Sequence, residues 1–206
     1  MTNLGSDLME LLTAVVALYV IVDPLGNIPL FAALTAGLSE AQRSRVLLLS
    51  VLVASAVLVL FAVFGVEIFG YFGVELGDFM IASGLILISF SLHQLIRPYE
   101  QRPATDGLEV AVVPLAVPYL AGPASISYVL LMSKHMGVAP TLLAVAAVSL
   151  LTFATLRASG FIMRALGVLG IRVVEKIMLI LSVAIGVSLV RRGLEAGWSL
   201  GASSRG

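Results

Sequence analysis

The stretch VDPLGNIPLF, Val22 to Phe31, decides how this chain is read. It sits inside an apolar run and yet holds a carboxylate, two prolines, a glycine and an asparagine, residues poorly suited to a continuous helix. Blocks free of Asp, Glu, Lys and Arg extend over 11–22, 24–39, 46–66, 79–96, 110–133, 135–156 and 177–190. A helix needs about 20 apolar residues to cross a bilayer. The first two blocks therefore make one span interrupted at Asp23, and the total is six. Across all 206 residues the chain is 60% hydrophobic and only 12% charged, with a mean hydropathy of +1.10. Soluble domains carry about 25% charged residues, so the expectation is an all-α integral membrane protein. A β-barrel would alternate apolar and polar positions in strands of about ten residues, and these blocks are apolar on every side.

The N-terminus carries Asp7 and Glu10 and no Lys or Arg before its apolar run. A secretory signal starts with positive charge, so the first span is expected to stay in the mature chain. Formal net charge is zero and no basic run interleaves with aromatics, which gives no footprint for nucleic acid. Cysteine is absent and only His93 and His135 are available, so disulfides, thiolate chemistry and a transition-metal site are not expected. Lys and Arg fall eight on one side of six spans and four on the other. The positive-inside rule then puts both termini outside the cytoplasm.

An internal repeat changes the meaning of each motif. Asp23-Pro24 in the first span aligns with Gly122-Pro123 in the fourth, 99 residues on, and Phe69–Val74 aligns with Leu166–Ile171, 97 residues on. Three spans per copy is an odd number, so the second copy enters from the opposite side. The reading is a single transmembrane domain over 1–206, with repeat one about 8–96, a cytoplasmic connecting loop 97–109, repeat two about 110–192 and a short tail 193–206.

Taking the first span as about 8–33, Asp23 lies within roughly 4 Å of the bilayer centre at about 1.5 Å per residue. Gly122-Pro123 falls at the same depth in the fourth span. Proline is tolerated at the first position of a helix, so Asp23 and Gly122 read as N-caps of second half-helices. Broken helices at matching places in inverted halves point to a transporter's binding site. An ionised Asp at that depth costs about 2.5–3.5 kcal/mol even on the gentler insertion scale. It either caps its own turn, accepting from Leu25 or Gly26, or binds a cation. Asn27 lies one turn on, and Ser125 and Ser127 supply hydroxyls beside the second break, where bonding back to helix carbonyls is their bland alternative. A zwitterion fits between the breaks, its ammonium at Asp23 and its carboxylate at the N–H groups after Pro123. Small residues there, Gly26, Ala121, Gly122 and Ala124 among them, leave room for a small side chain only. Tyr19 and Tyr119 precede the breaks on faces that can look into a cavity.

At these residues the chain resembles the MarC family of membrane proteins, also labelled neutral amino acid transporters and related to the lysine exporter grouping. The resemblance rests on DPLGNIPLF, on AGPASI from Ala121 to Ile126, and on the six-span length, and it covers essentially the whole chain. It implies two inverted three-helix repeats in an inner membrane and movement of small neutral amino acids. It carries over Asp23, Pro24, Gly26, Asn27 and Pro29 in the first motif, and Gly122, Pro123 and Ser125 in the second. Two departures stand out: Ala82-Ser83-Gly84 where the family would show paired glycines, and Glu175-Lys176 where it would show a lone arginine. Neither is expected to touch the breaks.

Enzyme readings fare poorly. An intramembrane aspartyl protease needs two carboxylates together, and no second acid is expected at the depth of Asp23. His93 and His135 both fall near span ends, and no phosphate-binding loop is present. The expected function is a secondary transporter of a small neutral amino acid such as glycine or alanine, coupled to protons or sodium through Asp23, with no organic cofactor. A channel or broad-range exporter of small metabolites or drugs is the alternative, and a non-transporting scaffold the third. Its partners are the lipid bilayer and the substrate; a homo-oligomer stays open, because lipid-facing and helix-facing apolar surfaces read alike.

Overall fold

The computed structural model describes residues 4–96 and 111–203. The connecting loop expected over 97–109 lies outside the described residues. Eight helices make up the described chain: α1 (Leu4–Val22), α2 (Ile28–Leu34), α3 (Glu40–Phe72), α4 (Leu76–Ile96), α5 (Ala111–Leu120), α6 (Pro123–Met136), α7 (Val138–Arg157) and α8 (Ser159–Ser203). No strand occurs among the described residues.

Local chemistry sets the ends of α3. Ser39 opens α3 with a capping box: its hydroxyl accepts from the N–H of Gln42 at 3.3 Å, and its own N–H donates to the Gln42 side chain at 2.9 Å. Two of the orphan donors at the helix start are thereby satisfied. Gly73 closes α3 at φ 65°, a left-handed conformation that costs glycine no Cβ clash. At Gly167 the backbone turns to φ 67° and ψ 176°, which divides α8 into a short leading segment and a long second one. Helix continues through Ser203, past the expected end of the second repeat at Arg192.

Four helices are long and apolar enough to cross a membrane among the described residues: α3, α4, α7 and the Arg172–Ala196 part of α8. They match the second, third, fifth and sixth expected spans. At the first and fourth positions the structure has pairs of shorter helices, α1 with α2 and α5 with α6. The α5 segment departs from the expected regular helix. Val113 and Val117 are extended, at φ −131° and −130° with ψ 123°. Each precedes a proline, Pro114 and Pro118, whose Cδ clashes with an α conformation one residue earlier.

Polar contacts between helices are few. α3 crosses α7 with the Ser55 and Ser149 hydroxyls 2.7 Å apart. α1 packs on α7 and α5 on α3; α6 packs on α4 and α2 on α8; α4 and α8 share the most extensive contact. Large apolar side chains such as Leu48, Leu52, Phe64, Leu143 and Leu150 stay exposed, as expected where hydrocarbon, not water, surrounds the helices.

The α4–α8 contact is close because glycines line it. A Cβ on Gly84 would meet the Gly186 carbonyl oxygen at 2.5 Å, and one on Gly193 would meet the Gly77 carbonyl oxygen at 2.6 Å. Small residues let helix backbones approach within a membrane. Gly84→Ala and Gly193→Ala are each expected to lower the thermal unfolding midpoint in detergent, with an overpacking cost of about 1–3 kcal/mol. Gly70→Ala, whose Cβ would meet nothing within 4 Å, serves as the neutral control.

Candidate functional site

The first break pairs several of the backbone groups that it frees. The N–H of Asp23 still donates to the Tyr19 carbonyl at 3.0 Å, ending α1. Asp23 itself turns to φ 52°, a region Asp tolerates because its short side chain bonds locally. Its Oδ1 accepts from the N–H of Gly26 at 2.9 Å, and its carbonyl accepts from the N–H of Asn27 at 3.1 Å. Asn27 then donates from Nδ2 to the Val22 carbonyl at 3.2 Å, one of the acceptors that a helix end leaves open. Asp23 thus accepts from Gly26 as expected, but it is not the N-cap of α2. A turn over 24–27 intervenes, and Asn27 holds the cap position.

The second break is simpler. Gly122 is the N-cap of α6 at φ −85° and ψ 171°, with Pro123 in the first turn. A Cβ on Gly122 would meet the Pro118 carbonyl oxygen at 2.6 Å, so this approach requires glycine. The N–H of Ile126 donates to the Gly122 carbonyl at 3.0 Å. Proline has no N–H, which leaves Ala124 and Ser125 as the donors that the helix geometry does not satisfy. The Ser125 hydroxyl bonds back to the Gly122 carbonyl at 2.9 Å.

The two breaks meet at one cavity. It offers about 100 Å³ to water-sized occupants, several times the roughly 10–15 Å³ that one water requires. Asp23, Gly26 and Asn27 reach it from the first break, and Tyr119, Gly122, Pro123 and Ser125 from the second. Its other wall comes from Ile86, Leu87, Phe90, Ser91 and Gln94 of α4 and from Glu175, Leu179 and Ser182 of α8. The Phe90 and Tyr119 rings meet edge to face, centroids 5.0 Å apart.

Three expected site residues do not line this cavity. Pro24 is buried in the turn. The Tyr19 hydroxyl lies 2.8 Å from that of Thr155 on α7. Ser127, fully buried, donates to the Ser83 hydroxyl on α4 at 2.8 Å; two residues along a helix from Ser125, it faces a different neighbour. One of the two sequence departures reaches the cavity, contrary to expectation: Glu175 lines it, whereas Ser83 does not and instead meets Ser127 of α6. Asp23 and Glu175 thus line the same cavity. The two carboxylates do not bond to each other, since the one partner of the Asp23 side chain among the described residues is the Gly26 N–H. A signal for Glu175 was present, as it is the only acidic residue between Glu109 and Glu195. Ser91, Gln94 and Ser182 carried none, because only the packing of α4 against α8 brings them to the breaks.

Residues 8–197 match the profile described as MarC family integral membrane protein. The chain belongs to the MarC family. It is 32% identical over 191 residues to a UPF0056 membrane protein of Methanocaldococcus jannaschii, covering 87% of this chain and 84% of the relative. A second protein of that name from the same organism is 32% identical over 200 residues, covering 92% and 98%. The UPF0056 membrane protein YvbG of Bacillus subtilis is 27% identical over 193 residues, covering 87% and 92%. No solved structure matches the chain.

In this MarC chain, a Cβ at Gly26 would fall on the Asp23 carboxyl group. Gly26→Ala is expected to displace that carboxyl and break its bond to the turn, at a cost of about 1–3 kcal/mol. The check is the thermal unfolding midpoint in detergent, which should fall for Gly26→Ala and hold for Asp23→Asn, whose amide oxygen can still accept.

Proposed function

We propose that the protein is a secondary active transporter of small neutral amino acids, glycine-like or alanine-like, coupled to protons through Asp23. One observation carries this reading: a single cavity joins the Asp23 carboxylate to the N-terminal end of α6. The carboxylate suits a substrate ammonium. The N–H groups of Ala124 and Ser125, in the first turn of a helix at its positive end, suit its carboxylate. Gly122 and Ala124 leave little volume for a side chain, which favours the smallest substrates.

Among the described residues the wall carries Asp23 and Glu175 and no Lys, Arg or His. A zwitterion brings no net charge to offset two carboxylates, whereas a co-bound proton or sodium ion does. This charge balance favours cation coupling over simple diffusion through a channel. No residue arrangement here calls for an enzyme reading.

The helix contacts agree in part with two inverted repeats with discontinuous first and fourth spans. Exchanging α1, α2, α3 and α4 for α5, α6, α7 and α8 turns the α1–α7 contact into α5–α3, and the α6–α4 contact into α2–α8, while the α3–α6, α6–α7 and α1–α6 contacts have no counterpart of like extent. α3–α7 and α4–α8 map onto themselves, as elements astride a two-fold axis do. With both termini outside the cytoplasm of an inner membrane, the cavity lies toward the cytoplasmic ends of α4 and α8. Rocking of the halves about the breaks would alternate its access.

The test is uptake of labelled glycine by reconstituted liposomes, with and without an imposed pH gradient. Wild type is expected to accumulate glycine above equilibrium only with the gradient, and Asp23→Asn to fall to the level of empty liposomes. Flux without accumulation would favour a channel or broad-range exporter. No uptake under pH or sodium gradients, with the small neutral amino acids tried in turn, would overturn the amino-acid reading.

A further inference from the structure

A second cavity, of about 210 Å³, lies where the start of α3 meets the α7–α8 junction. Its wall carries Arg43, Arg157 and Arg164 against a single acid, Glu40, an excess of two positive charges. None of the three arginines pairs with a carboxylate among the described residues. They do not touch the cavity at the breaks.

Each guanidinium is held differently. Arg43 is fixed: it donates to the buried Ser159 hydroxyl at 2.9 Å and its guanidinium carbon stands 5.0 Å from the Phe31 ring centroid. Arg164 spends its Nε on the Gly160 carbonyl at 3.1 Å, which leaves its terminal nitrogens for another partner. Arg157 makes no hydrogen bond to the described residues and is exposed. A guanidinium fork matches the paired oxygens of a phosphate and forms charge-assisted bonds with them. Three forks around one hollow make a concave phosphate-binding surface.

The place of the cavity names the source of that phosphate. Arg157 is the last residue of the span Val138–Arg157, so the hollow stands at a membrane edge, where headgroups lie. Phe161, also on the wall, is 70% exposed. Free phosphate has no use for an exposed ring, whereas a phospholipid has glycerol and acyl groups to lay against it. Basic pockets at the ends of membrane helices are suited to anionic headgroups. We propose that this cavity is a binding site for the phosphate headgroup of an anionic phospholipid, gripped by Arg157 and Arg164 with Arg43 as the fixed wall. The proposal stands whether or not the protein transports amino acids.

The test is native mass spectrometry of the full-length, delipidated protein in detergent, titrated with phosphatidylglycerol or with phosphatidylcholine. Arg157→Gln/Arg164→Gln removes two exposed charges while keeping long side chains. It is expected to lower retention of phosphatidylglycerol about tenfold or more and to leave retention of phosphatidylcholine unchanged. Arg45→Gln/Arg172→Gln, two exposed arginines that do not line the hollow, is expected to bind phosphatidylglycerol as wild type does. Equal loss in this control would mean diffuse surface charge and overturn the site. So would unchanged retention in Arg157→Gln/Arg164→Gln, or displacement of the lipid by inorganic phosphate at equal concentration.

Discussion

Backbone amides and carbonyls released from a helix inside hydrocarbon must find partners in the protein or in a wet cavity. That constraint governs both breaks of this chain. At the first, Asp23 and Asn27 act as a complementary pair, in which the carboxylate takes a free N–H from the turn and the amide gives a donor to the free carbonyl of Val22. At the second, the prolines remove donors outright, and Gly122 admits the Pro118 carbonyl to within contact. Ala124 and Ser125, whose N–H groups the helix geometry does not satisfy, line the cavity.

The same constraint explains why Asp23 can serve two roles that first look like alternatives. One oxygen of its carboxylate caps the turn, and the group as a whole still lines the cavity. A carboxylate has about four lone-pair positions, so capping by a single N–H leaves acceptor capacity for a cation. The left-handed backbone at Asp23 is what aims the side chain back over Gly26, and Gly26 lacks a side chain because that carboxyl occupies its space.

The breaks were legible in the sequence because their causes are local. Proline acts on its own residue and the one before it, so Asp23-Pro24 and Gly122-Pro123 could be placed from the chain alone. The extended residues Val113 and Val117 obey the same local rule at Pro114 and Pro118, so the sequence carries a signal for them as well. The four unbroken spans were legible from apolar length. Ser127 was not, because its partner Ser83 lies on a helix 44 residues away in sequence, and nothing local tells which face of α6 meets α4. Glu175 is a similar case: a charge in a span announces a function or an end, and only packing decides between them.

Packing of α4 against α8 also gives the cavity its one-sidedness. The glycine contacts all fall toward one end, with Gly77 and Gly84 against Gly193 and Gly186, while Ser91 and Gln94 face Glu175 and Ser182 across the cavity at the other. At that other end the contact runs through side chains, with the Lys176 ammonium donating to the Leu95 carbonyl at 3.1 Å. The expected repeat does not reproduce the glycines: 97 residues on from Gly77 and Gly84 stand Val174 and Leu181. Glycine in one end only makes the two ends of the α4–α8 contact different in kind, backbone against backbone at one and side chains around the cavity at the other.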